Sequence, residues 1–288
     1  MINYLSVLKS LPLWSGQKLK IGRLLGGGTN DNFLVIVGNK KYVARFQGQS
    51  QRKLLGLNRR REIHNTRVAH QLGIGPRVVA HYSSHGLLVV SYLEGRVLKP
   101  NDLRKDIRIK KIVRLLKRLH AGPAFYDKFS VVDSINNFWR TANQESKKLP
   151  SFSLEDLKKY KKCIKIIKQR RVKLVPCHAD IVSINIIERR QQLKLIDWDY
   201  SAMADPLFEL AFIAGWSKFS LKQEKLLLKL YFGKISPQLL SEFQVMKALF
   251  HLREAVWALV QIGNSTVPGF NYRYYLARHL AWFKKFKI

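Results

Sequence analysis

With 288 residues, 47% of them hydrophobic, the chain is long enough for one large domain or two lobes sharing a cleft, and too apolar to be disordered. Fifty-two Lys and Arg stand against 19 Asp and Glu, a formal charge of +33, yet the best apolar run, Pro206 to Trp216, contains Glu209 and is too short to span a bilayer. Cys163 and Cys177 alone make neither a disulfide framework nor a metal knuckle, and MINYLSVLKSLPLW lacks a secretory leader pattern, so a reducing cytoplasm is the expected compartment.

From Leu19 to Phe46 the chain reads strand, turn, strand, turn, strand: LKIGRLL, NFLVIVG and NKKYVARF are separated by Gly and Asn clusters. Gln47 to Leu57 is polar and reads as a mobile loop. Arg60 to Leu72 carries Ile63, Val68 and Leu72 at helical spacing and stops at Gly73. Arg77 to Tyr82 and Leu87 to Leu93 read as a hairpin around Ser83 to Gly86. Beyond Gly95, Asn101 is a candidate cap for a helix running to His120. Ser134 to Lys148 and Ser153 to Arg171 read as further helices. NIIE and LKLID then form a short hairpin around Arg189 to Gln192. Helices resume at Pro206, Leu221 to Phe232, Gln238 to Ile262 and Asn271 to Lys287. The expected fold class is α+β. Residues 1–94 form a small antiparallel β lobe with one helix, and residues 95–288 a larger, mainly helical lobe.

Chemistry concentrates in CHADIVSIN and LKLIDWDY. Asp180 in a loop can accept a proton from a substrate hydroxyl, and Asn185, five residues on, can fold back to offer a carbonyl oxygen to a metal. Asp197 ends the next strand, where its carboxylate can meet the same ion. Hard oxygen ligands suit Mg²⁺, and one base with two metal ligands fits phosphoryl transfer. Gly26-Gly27-Gly28-Thr29-Asn30 joins two strands, and such a turn lets backbone approach phosphates; with no Walker pattern it is a weak signal alone. Arg45 in YVARF can reach back to phosphates, held by Glu62 on the following helix, although Glu62 also has Arg59, Arg60 and Arg61 as local partners.

Together these pieces resemble the choline kinase and aminoglycoside phosphotransferase family, of protein-kinase-like fold. The resemblance runs through nearly the whole chain: GGGTNDNF to a phosphate-covering loop, YVARF to the third strand, SYLEG to a hinge and LKRLHAG to the helix after it. It implies Asp180 as catalytic base, Asn185 and Asp197 as Mg²⁺ ligands, and a buttressing role for His178. It implies ATP as the phosphoryl donor, held by Gly27, Gly28, Thr29, Asn30, Arg45, Glu62 and the hinge residues Ser91 and Leu93. Val182 stands where protein kinases usually carry Lys, Asp197-Trp198-Asp199 replaces D-F-G, and no A-P-E segment follows. Those departures point to a small-molecule acceptor.

Trp216, Trp257, Tyr272, Tyr274, Tyr275 and Trp282 enrich the second half in aromatics, and aromatic faces near carboxylates suit a cationic alcohol. Choline is the expected acceptor, with Asp180, Asp199, Trp216 and Trp257 as contacts, Asp199 staying open between that role and a place behind the metal ligands; helix packing is the commoner fate of a Trp at such spacing. Eukaryotic choline kinases carry an acidic residue where Gly215 precedes Trp216, and LKLIDWDY followed by ELA also resembles bacterial thiamine kinases, so thiamine is the alternative. Only Glu224, Glu242 and Glu254 follow Glu209, few acids for an aminoglycoside. The basic residues are spread along the chain, with local runs at Arg59 to Arg61, Lys158 to Lys162 and Lys168 to Lys173, and do not make one stripe with interleaved aromatics. They read as a solvated surface in preference to a nucleic-acid or anionic-membrane site, or to a non-catalytic protein on the same fold.

Overall fold

The computed structural model describes residues 3–24, 30–48, 54–145, 147–265 and 269–288. The expectations for Gly27, Gly28 and Thr29 fall outside these residues. A short helix, α1 (Tyr4–Ser10), precedes strands β1 (Leu19–Leu24), β2 (Asn30–Val37) and β3 (Lys40–Gln47). Helix α2 (Arg59–Gln71) and strands β4 (Val78–Tyr82) and β5 (Leu87–Ser91) follow, and the five strands form one antiparallel sheet in the order β1-β2-β3-β5-β4.

Strand periodicity decides what each face of this sheet does. Phe33, Val35, Val37, Ala44, Phe46, Leu87 and Val89 pack on one face with Leu8, Leu11 and Trp14. Val43, Leu88 and Val90 pack on the other with Ile63 of α2 and Val78. Arg45 is two residues from Val43 and so shares the α2 face, where Glu62 lies. Asn58 caps α2 by accepting from the backbone of Arg60 and Arg61.

The remainder is mainly helical: α3 (Pro100–Leu103), α4 (Asp106–His120), α5 (Val131–Gln144), α6 (Leu154–Lys168), α7 (Pro206–Trp216), α8 (Leu221–Phe232), α9 (Pro237–Gln261) and α10 (Tyr272–Lys285). Helix α9 packs on α5, α6, α7 and α10, and α7 is buried from Pro206 to Gly215. That explains why α7 is apolar on every side. Among the described residues, no helix is long and apolar enough to cross a membrane. Between the helices lie β6 (Arg96–Val97), β8 (Ile186–Arg189) and β9 (Gln192–Leu195) in one small sheet, and β7 (Val175–Cys177) paired with β10 (Ala202–Ala204).

Three local readings need correction. Asn101 caps nothing: Pro100 opens the short α3 and Lys105 precedes a separate α4, so one expected helix is two. The second helix of the series begins at Val131, capped by Ser130, before the expected Ser134. The segment ending at Leu57 is not all mobile loop, because Leu55 and Leu57 are each 5% exposed and join the larger core.

Candidate active site

The loop between β7 and β8 carries His178, Asp180 and Asn185. Val182 N–H donates to Asp180 O (2.9 Å) and Asn185 N–H to Val182 O (3.0 Å), closing a tight turn. Asn185 Nδ2 then donates to Asp180 O (3.1 Å) and Oδ2 (3.3 Å), so the two side chains meet. Ile196 N–H donates to Asn185 O (3.0 Å) and His178 donates through Nε2 to Ile196 O (2.9 Å), which brings Asp197 beside them. His178 also packs on the buried Trp198 (4.6 Å), in the buttressing position expected of it.

Two non-glycine residues here take left-handed backbone: Ala179 at φ +60° and Asp197 at φ +69°. Each costs about 1–3 kcal/mol and needs surrounding contacts to persist. Ala179 N–H donates to Glu209 Oε1 on α7 (2.8 Å), and Glu209 Oε2 meets His120 Nε2 on α4 (2.5 Å). His120 Nδ1 in turn meets Tyr231 Oη on α8 (2.6 Å). Three helices thus fix the residue before Asp180. Cys177 completes a buried trio with His120 and Glu209 whose ligand atoms lie within 4.8 Å of one another, but hydrogen bonds already occupy the His and Glu atoms. Burial, then the charges of Asp197 and Glu254, push the Asp180 carboxyl up to about 8, against the pull of Arg253.

On the sheet side, Arg45 Nη2 pairs with Asp197 Oδ1 (2.6 Å) and Asp199 Oδ1 (3.4 Å), while Nε lies 3.4 Å from Glu62 Oε1. Glu62 Oε2 takes Arg59 Nη1, so the long-range and local partners expected as competitors are both present. Asn30 donates to Asp199 Oδ2 (2.8 Å) and accepts from Arg59 Nη2 (3.1 Å), and Arg61 donates to Asp199 O (2.9 Å). Asp199 is 5% exposed, its carboxylate is held from β2 and β3, and it joins the sheet to the helical part. Burial lowers the Arg45 pKa, but Asp197, Glu62 and Asp199 outweigh it and the guanidinium is held charged more firmly than usual. Burial and then Asp199 push Glu62 up to about 8, against Arg45 and Arg59. Burial also works against ionised Asp199, but Arg45 and Arg59 hold its carboxyl below the ordinary range.

A cavity of about 350 Å³ opens between the hinge and β8–β9, lined by Tyr92, Leu93, Glu94, Ile187, Arg189 and Lys194 among others. Leu93, expected at the hinge, is one of its lining residues. Ser91 instead is taken up by Arg77, whose N–H donates to Ser91 Oγ (2.9 Å). Gly95 sits at φ +148°, and a Cβ there would fall 2.5 Å from Glu188 O, so hinge and β8 touch only because the residue is glycine. The β8–β9 wall was missed in the sequence, although the basic turn after NIIE is its trace.

Around the other side of Asp180 the rings of Trp216 and Trp257 converge on Tyr275, at 6.3 and 5.9 Å. Tyr275 Oη donates to Glu254 Oε2 (2.6 Å), and Arg253 Nη1 donates to Glu254 Oε1 (2.5 Å). Arg253 lies over Tyr200 at 4.8 Å. Trp216 Nε1, Tyr200 Oη and Arg253 Nη2 are buried with no hydrogen-bond partner among the described residues. Such orphaned groups mark places where a ligand or water completes the structure. Tyr200 and Arg253 had no role assigned from sequence, Tyr275 stood only among the aromatics of the second half and Glu254 only among its few acids; i, i+3 spacing puts Glu254 with Trp257 on one face of α9, the one signal available. Tyr274 is 62% exposed and Trp282 packs on His251 and His279, so neither joins this group. Gly215 has a packing reason: a Cβ there would lie 2.7 Å from the Phe250 ring, which excludes an acidic side chain.

Residues 21–218 match the family model for choline/ethanolamine kinase. Protein LicA of Haemophilus influenzae is 28% identical over 228 residues, 77% of this chain and 65% of LicA, so the match falls just short of two thirds of that protein's length. A thiamine kinase of Escherichia coli O157:H7 is 26% identical over 149 residues, 52% of this chain and 51% of that protein. The solved choline kinase LicA from Streptococcus pneumoniae superposes with a TM-score of 0.79 at 25% identity, covering 97% of each chain. Similarity to the structure of APH(2")-IIia with GDP and kanamycin, TM-score 0.69 at 12% identity over 98% of this chain and 97% of that one, shows the shared kinase-like fold alone.

Proposed function

The chain belongs to the choline/ethanolamine kinase family, and from that premise we propose that it transfers the γ-phosphoryl group of ATP to the hydroxyl of choline or a similar cationic alcohol. The observation that carries this reading is the contact of Asp180 with Asn185, with Asp197 led alongside by Ile196. Asp180 orients the acceptor hydroxyl and takes its proton as the oxygen bonds to the γ-phosphorus. The bond from that phosphorus to the bridging oxygen breaks, and ADP leaves. Asn185 and Asp197 are an all-oxygen donor pair of the kind Mg²⁺ takes, and these two residues would hold it. The ion supplies neutralisation of phosphate charge when bound. Arg45, buried and firmly charged, steadies the phosphates from the sheet side, and the hinge cavity beside Leu93 takes the adenine.

The acceptor side supports a cation. The half-buried Trp216 and Trp257 offer rings, and Glu254, held by Arg253 and Tyr275, is a buried carboxylate within electrostatic reach of Asp180. A second reading, thiamine, draws on the orphaned Tyr200 Oη and Arg253 Nη2. A trimethylammonium group has no hydrogen-bond acceptor for them, whereas a pyrimidine ring nitrogen has. An ADP-release screen over choline, ethanolamine, thiamine and a few aminoglycosides decides among them. Choline is expected to give the highest kcat/KM, and turnover with none of the four classes overturns the kinase reading. Asp180→Ala is expected to lower kcat by about 10²–10⁴-fold while nucleotide affinity stays close to the parent's.

A further inference from the structure

Two of the basic runs, Lys158 to Lys162 and Lys168 to Lys173, lie on one helix and the segment that follows it, whereas Arg59 to Arg61 belong to α2. Between Leu157 and Lys173 the chain has nine basic residues and no acidic one. Helix α6 turns Tyr160 and Cys163 into the core, with Leu157, Ile164 and Ile167 packed beside them. Lys158, Lys161, Lys162, Lys165 and Lys168 are all exposed on the opposite side. Their spacing of three and four residues makes a straight stripe about 15 Å long. Arg171 continues it. Other basic residues of this region are used internally: Arg170 pairs with Asp205 and Glu242, and Lys159 donates to Lys284 O (2.6 Å). The stripe residues have no ion-pair partner among the described residues. That Lys159 contact also brings the C-terminal end of α10 alongside, with Lys285 exposed.

Apolar side chains mark both ends of the stripe. Leu154, in the first turn of α6, is 78% exposed, and Val172 is 36% exposed. We propose that the exposed face of α6 docks this protein on an anionic lipid bilayer. Lysine ammonium groups are compact, hydrated point charges suited to a fluid, diffuse negative surface, and the stripe carries them almost to the exclusion of Arg, the better partner for fixed phosphates. No aromatic ring is exposed on the stripe to stack a base, which single-stranded nucleic acid would use. The apolar ends have a role at a headgroup boundary and none on a phosphate backbone.

Co-sedimentation of the full chain with phosphatidylcholine vesicles, with and without phosphatidylserine, tests this independently of any kinase assay. Binding is expected only to the anionic vesicles and falls as salt rises. The combined variant Lys158→Gln, Lys161→Gln, Lys162→Gln and Lys165→Gln is expected to bind at least about 100-fold more weakly, from about fivefold per lysine. A matched variant of exposed lysines elsewhere, with Lys222, Lys225, Lys229 and Lys234 changed to Gln, is expected to lose far less. Leu154→Ser is expected to weaken vesicle binding several-fold and to leave binding of a labelled single-stranded RNA unchanged. The proposal is overturned by absence of vesicle binding, by equal losses in the two four-lysine variants, or by RNA binding tighter than vesicle binding through the α6 lysines. Unchanged melting temperatures exclude misfolding as the cause of any loss.

Discussion

Asp199 shows how a residue with an ambiguous sequence signature acquires a role from its contacts. It is two residues from Asp197, yet its carboxylate faces Arg45 and Asn30 on the sheet. Asp199→Asn is therefore expected to raise KM for ATP and to lower kcat, with the Mg²⁺ concentration for half-maximal rate nearly unchanged. Asp197→Asn is expected to shift that Mg²⁺ requirement strongly; initial rates over a metal titration separate the two. Glu62 carries a pH prediction. Its carboxyl moves from an ordinary 4.5 to about 8, so the folded state holds this proton more tightly than the unfolded chain. The stability it contributes is complete below about pH 4.5 and is lost as pH rises towards about 8. Glu62→Gln removes that loss. The melting temperature of the parent, relative to this variant, should decline across that interval, as calorimetry at several pH values will show.

At the scale of elements, the loop bearing Asp180 is held from beneath by α7, α4 and α8 through Glu209, His120 and Tyr231. Glu209→Ala would leave Ala179 N–H and His120 without acceptors in a buried setting. A loss of about 2–4 kcal/mol in folding stability is expected. Because Ala179 would no longer be held at its left-handed backbone, kcat should fall by more than stability alone accounts for. Denaturant titration beside single-turnover rates at a temperature where the variant is folded measures both. Legibility differs element by element. The strands from Leu19 to Phe46 and the hairpin at NIIE were readable because alternation and turn residues are local properties. The split between α3 and α4 was not, because Pro100 and Lys105 set it through cap geometry that residue type at Asn101 does not reveal.

For the whole molecule, the N-terminal part meets the helical part through apolar packing of Leu55, Leu57, Val68, Ala69 and Ile74 and through charged contacts, chiefly Arg45 with Asp197 and Asp199, and Arg61 with Asp199 O. A ligand that engages both sides should stabilise the fold. Saturating nucleotide with Mg²⁺ is expected to raise the melting temperature by several degrees, since a ligand at 100 times its Kd adds about 2.7 kcal/mol. Chelation should reverse the metal-dependent part of that rise. In Asp197→Asn the rise with nucleotide alone should persist and the further rise with Mg²⁺ should vanish.

By itself, the sequence determined the α+β class, the order of strands and helices, and the short-range cluster of Asp180, Asn185 and Asp197, because periodicity, turn chemistry and close spacing act over a few residues. It also singled out Arg45 and Glu62, although it left open whether Glu62 served a distant or a neighbouring arginine. Only the tertiary structure decided that Glu62 serves both, that Asp199 joins the two parts of the molecule, and that Glu254 and Tyr275 stand with Trp216 and Trp257 near Asp180. For the lysines of α6, close in the chain and aligned by helical spacing, it decided that their face stays exposed. Each of these is a relation between residues far apart in the chain or on one turned surface, set by packing of whole elements.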